Sequence, residues 1–98
     1  MVIDFLKRGK ENAIPSRALA KMVGCKNVRD LQALVAQERQ QGAVILSTSR
    51  NGGGYYLPAD AEEVREFIRT LDARARHTFL ALRSARKYLK EIENVDEN

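Results

Sequence analysis

Residues 16–35 read Ser16-Arg17-Ala18-Leu19-Ala20-Lys21-Met22-Val23-Gly24-Cys25-Lys26-Asn27-Val28-Arg29-Asp30-Leu31-Gln32-Ala33-Leu34-Val35, two short helical patterns separated by a turn. In the first pattern Ser16 is a good N-cap, and Ala18, Leu19, Met22 and Val23 form a buried stripe that Gly24 ends. Cys25-Lys26 is the turn. Asn27 caps the second pattern, and Asp30 places negative charge in its first turn, where the helix dipole favours it. Leu31, Leu34 and Val35 are its inward face, and Gly42 is its stop. Leu31 comes one residue later after Gly24 than the usual helix-turn-helix spacing, so the turn is expected to be one residue longer.

On the N-terminal side, Val2, Phe5 and Leu6 at i, i+3, i+4 predict a short helix that ends at Gly9. Gly9 to Ala13 reads as a polar loop, and Ile14 is extended because proline follows it. On the C-terminal side, Val44-Ile45-Leu46 and Tyr55-Tyr56-Leu57 flank the glycine-rich Ser47–Gly54, which predicts a two-stranded hairpin. Alternation along a strand places one of Tyr55 and Tyr56 on the core and leaves the other partly exposed. Pro58 closes this unit. Asp60-Ala61-Glu62-Glu63 is a carboxylate-capped start, and helical periodicity follows to about Glu93, about 50 Å if unbroken. Residues 94–98 read as a disordered acidic tail.

At 98 residues, with 44% hydrophobic and 31% charged residues, the chain is sized for one globular core. No apolar run reaches the roughly 20 residues of a membrane span, and residues 1–6 lack the features of a signal peptide. The single cysteine, Cys25, fits a reducing, cytoplasmic setting and reads as a small core hydrophobe. Residues 1–57 hold nine Lys/Arg against four Asp/Glu, whereas residues 58–98 hold eight against nine. The basic excess lies in the first part of the chain and suits a polyanion.

Helix, helix, turn, helix and hairpin, in that order, make an α+β, mostly helical winged helix-turn-helix over residues 1–57, with a long dimerisation helix over 58–93. Gly9-Lys10-Glu11-Asn12-Ala13-Ile14, Ser16 to Gly24 and Gly54-Tyr55-Tyr56-Leu57-Pro58 resemble the winged helix-turn-helix DNA-binding proteins of phages and prophages in Gram-positive bacteria. The resemblance covers residues 1 to about 60 and implies sequence-specific binding of double-stranded DNA in transcription regulation or phage replication. The alternative is a protein-interaction adaptor in replication or packaging that uses the same fold.

Taking 100° per residue, the outer face of the third helix carries Arg29, Ala33, Ala36, Gln37 and Gln40, with Gln32 on its flank. Small alanines let a backbone approach the major groove while Arg and Gln reach base edges. Arg17, Lys21 and Lys26 are expected to hold phosphates nearby, and Arg50 to act from the hairpin tip. The bland alternative for the same residues is a solvated helix face. Glu38 falls on the inward stripe, which predicts a basic partner where this helix meets the long one. The Ser47–Gly54 loop lacks the Gly-Lys-Ser/Thr ending of a phosphate loop. His77 has no second ligand at metal spacing, and no catalytic set stands out, so the chain reads as a non-enzyme without cofactor, metal or small-molecule ligand.

In the long helix, Val64, Ile68, Leu71, Ala75, Thr78, Leu82, Ala85, Leu89 and Ile92 alternate steps of four and three, a coiled-coil seam. Phe67, Phe79 and Tyr88 widen it. A homodimer through Ile68, Leu71, Leu82, Leu89 and Ile92 is the expected use.

Overall fold

The computed structural model describes residues 1–96. It is mostly helical, with α1 at Ser16–Val23, α2 at Val28–Gln40 and α3 at Ala61–Asp96, and one antiparallel hairpin of β1 (Leu46–Thr48) and β2 (Gly54–Tyr56). Short 3-10 turns cover Val2–Phe5, Lys10–Asn12 and Arg50–Gly52. The chain divides into two compact units, Met1–Phe67 and Ile68–Asn98.

The first unit closes around Val2, Leu6, Leu19, Ala20, Leu31, Val35, Ile45 and Tyr55, with Cys25 and Leu34 packed on the edge of that cluster. Burial of the largest of these, at about 1.5–3 kcal/mol each, supplies the driving force for this half of the chain. The buried phase of α1 is rotated from its expected position. Leu19 and Ala20 are inside, whereas Ala18 is exposed and Met22 is 48% exposed. Ser16 is not the N-cap but the first helical residue. Pro15 occupies the cap position, with no side-chain cap, and its carbonyl accepts the first helical bond, from Leu19. Gly24 ends α1 in the left-handed conformation (φ 91°), so its N–H can return to the carbonyls of Ala20 and Lys21.

The hairpin register pairs Leu46 with Tyr56, Ser47 with Tyr55 and Thr48 with Gly54. The strand begins two residues later than Val44 because α2 intervenes. Arg39 donates Nε and Nη2 to the Ile45 carbonyl at 2.9 and 2.6 Å, leaving Val44 half exposed before the ladder starts. The other edge of β2 is also occupied, since Ile14 and Tyr55 exchange both backbone hydrogen bonds at 2.9 and 3.0 Å. Tyr55 and Tyr56 are both buried, contrary to the alternation expected of a strand with one open face. Their shared burial shows that both faces of this short strand are covered.

The first unit ends ten residues beyond the expected boundary at residue 57, because the opening turns of α3 are tied into it. Asp60 accepts the Glu63 N–H, while Glu63 accepts the N–H groups of Ala59 and Lys10. Lys10 Nζ reaches Glu66 at 2.6 Å, and the Arg39 guanidinium lies 5.2 Å from the centre of the Phe67 ring. At its other end α3 runs through Asp96, so 94–96 continue the helix rather than a tail. Residues 97 and 98 of the expected tail lie outside the described residues. Among the described residues, no helix is long and apolar enough to cross a membrane.

Candidate functional site

Helix α2 divides cleanly by exposure. Leu31 and Val35 are buried and Leu34 is half-buried, as their spacing predicts. Arg29, Gln32, Ala33, Ala36, Gln37 and Gln40 are all exposed on the opposite side. Asn27 starts this helix at the expected place, its Oδ1 accepting the Asp30 N–H at 2.8 Å. Four residues, Gly24–Asn27, separate α1 from α2.

Glu38 is the position that sequence reasoning placed correctly and partnered wrongly. It is 4% exposed, and among the described residues its carboxylate is met by backbone amides rather than by a basic side chain. Its Oε2 accepts the Val2 N–H at 2.7 Å and its Oε1 accepts the Ile3 N–H at 3.1 Å. The first amides of a helical turn have no partner within the turn, so a carboxylate there removes a double desolvation penalty. A carboxylate near the end of α2 is disfavoured by that helix's own dipole, and the positive end of the N-terminal turn compensates for it. With Glu38 withdrawn, Asp30 is the one carboxylate that α2 presents to solvent.

The neighbouring cations are accessible. Arg17 and Lys21, one helical turn apart on α1, are exposed, as are Lys26 in the turn and Arg50 in the hairpin tip. The Arg50 N–H is held by Thr48 Oγ1 at 3.1 Å, and its carbonyl accepts the Gly53 N–H at 3.0 Å, so the tip is an ordered turn. Gly54 is not part of that tip. It is buried in β2, and a Cβ there would lie 2.7 Å from the Ile14 carbonyl oxygen, a distance only glycine permits. Arg39, which sequence reasoning passed over, fixes the loop between α2 and β1, and its signal was only a cation in the last turn of a helix.

Tyr56 has a shifted ionisation. Burial, and then the negative charges of Glu63 and Glu66, push its hydroxyl pKa above the usual 10.0. It is a neutral packing residue at the base of the hairpin. Cys25 is a free thiol, half-buried against the core. Among the described residues, no group of three or more His, Cys, Asp or Glu could hold a metal.

In the second unit every described side chain is exposed, including Ile68, Leu71, Leu82, Leu89 and Ile92 of the expected seam. Phe79 and Tyr88 are 61% and 65% exposed. No protein-family model, curated protein or solved structure matches this chain.

Proposed function

We propose that the first unit is a winged helix-turn-helix that binds double-stranded DNA sequence-specifically, as a transcriptional regulator of the phage or prophage type that the sequence resembles. The carrying observation is the exposed face of α2, where alanines, glutamines and Arg29 stand together while Glu38 is turned inward. A major groove admits a helix whose central residues are small and whose longer side chains offer amide and guanidinium groups. In this reading Arg29, Gln32, Ala33, Ala36, Gln37 and Gln40 face the bases, Arg17, Lys21 and Lys26 contact phosphates, and Arg50 acts from the hairpin as a wing. The second unit joins two copies, which presents two such helices to half-sites about one helical turn apart or a multiple of it.

The test is selection of bound sites from random duplexes, followed by a salt series on the selected site. Lys21→Ala, Lys26→Ala and Arg50→Ala should each weaken binding to all duplexes and reduce the log–log salt slope by about one. Arg29→Ala should cost about 1–3 kcal/mol on the selected site and much less on unrelated DNA. A protein with little affinity for duplex at any ionic strength is instead an adaptor that docks another protein.

A further inference from the structure

The exposed seam of the second unit has a charge pattern that chooses its partner and its direction. In the steps of four and three, Ile68, Ala75, Leu82 and Leu89 take one core position and Leu71, Thr78, Ala85 and Ile92 the other. On one flank of that seam, at seven-residue intervals, stand Asp72, Phe79 and Arg86, and the alternation continues outward in the sequence with Arg65 and Glu93. The series is plus, minus, aromatic, plus, minus. Read backwards, each charge is replaced by its opposite about the central Phe79.

We infer that residues 68–92 of two copies pair antiparallel, with Phe79 of each chain meeting its counterpart at the two-fold axis. In an antiparallel pair, residues on this flank face the same flank of the other copy, and the charges there set orientation. Asp72 then faces Arg86 of the second copy, and Arg86 faces its Asp72. The core layers fall as Ile68 with Ile92, Leu71 with Leu89, Ala75 with Ala85, and Thr78 with Leu82, so in three of the four large meets large or small meets small, and the Thr78–Leu82 layer is mixed. The Ala75–Ala85 layers allow close approach of the helices, and the neighbouring layers carry the bulk of the apolar burial.

The competing arrangements lack this match. Slipping the pair by one heptad in one direction sets Arg65 against Arg86, and in the other direction sets Asp72 against Glu93. A parallel pair sets Arg74 against Phe79, Ala81 against Arg86 and Tyr88 against Glu93, with no ion pair at all. Single exposed ion pairs contribute little, but the difference between attraction and repulsion, counted twice by symmetry, is sufficient to select a register. This inference rests on the pairing part of the functional reading and is independent of DNA binding.

The full chain, carrying Cys25→Ser so that no native thiol reacts, tests it by mild oxidation. Leu71→Cys and Leu89→Cys chains should each stay uncrosslinked alone and crosslink to each other when mixed. Phe79→Cys alone should crosslink to itself. In sedimentation, Asp72→Arg should weaken association roughly ten-fold, and adding Arg86→Asp in the same chain should restore it. Self-crosslinking of Leu71→Cys, or a double variant no better than Asp72→Arg, overturns the antiparallel register while leaving a dimer in place. A chain that sediments as a monomer at tens of micromolar overturns pairing altogether, and neither result touches DNA binding by the first unit.

Discussion

The two units use the same kind of apolar spacing to opposite ends. In Met1–Phe67 the residues at helical intervals meet other elements of the same chain, and Leu19, Leu31 and Val35 are almost wholly buried. From Ile68 onward the spacing is more regular over a longer run, yet every described residue is exposed. Periodicity specifies which face of a helix is apolar. Whether that face is covered depends on whether the chain supplies something to cover it.

The most severe test of the contrast is one substitution made in both units. Leu31→Ala should cost about 2–5 kcal/mol in denaturant unfolding, because it empties a closed core. Leu82→Ala, measured at protein concentrations too low for association, should fall within about 0.5 kcal/mol of the parent. Similar losses at the two sites would mean that the second unit has a core of its own. Next in size is Glu38→Ala, which strands the amides of Val2 and Ile3 and should cost roughly 2–3 kcal/mol. Glu38→Gln keeps one acceptor oxygen and should lose about half as much. If Glu38→Ala proved neutral in chemical denaturation, the N-terminal turn would not belong to the cooperative unit.

Within the hairpin the contrast is sharper still. Gly54→Ala brings a methyl against the Ile14 carbonyl and should destabilise by roughly 1–3 kcal/mol. Gly52→Ala meets nothing within 4 Å and should cost no more than about 1 kcal/mol, from its positive φ alone. Equal melting temperatures for these two variants would refute the division between a free tip and a fixed base. The smallest effect is confined to alkaline pH. Because the folded state raises the pKa of Tyr56, the stability tied to its hydroxyl is intact below pH 10 and lost as pH climbs through the raised value. Tyr56→Phe should flatten the alkaline decline of stability and leave neutral pH unaffected by ionisation. A decline identical to the parent's would assign it to other groups.

The two faces of α2 could be read from the sequence because helical periodicity and the Asn27 cap are local signals. The late start of β1 could not, since it depends on Arg39 reaching a carbonyl six residues on. The boundary at Phe67 was hidden for a similar reason. Glu63 looks like an ordinary first-turn carboxylate, and Glu66 like a solvated charge one turn on, until Lys10, more than fifty residues earlier, is placed beside them. Glu38 shows both halves of the lesson: its phase on the helix marks it as inward, but nothing near it in sequence names two backbone amides as its partners. Both tyrosines are buried because β2 is covered on both faces, which a local alternation of residues cannot report.

The exchange of hydrogen bonds between Ile14 and Tyr55 has a topological meaning. It ties the chain into a closed loop, and every residue proposed to touch DNA, from Arg17 to Arg50, lies on that loop. Clamping two points 41 residues apart lowers the chain entropy once, for the whole excursion. Ile14, Gly54 and Tyr55 are not among the residues proposed to touch DNA, so exposed positions within the loop can vary without disturbing the closure. The same loop carries Leu19, Leu31, Val35 and Glu38, which pack on or bond to the N-terminal turn outside it, so its freedom to vary is confined to its exposed positions.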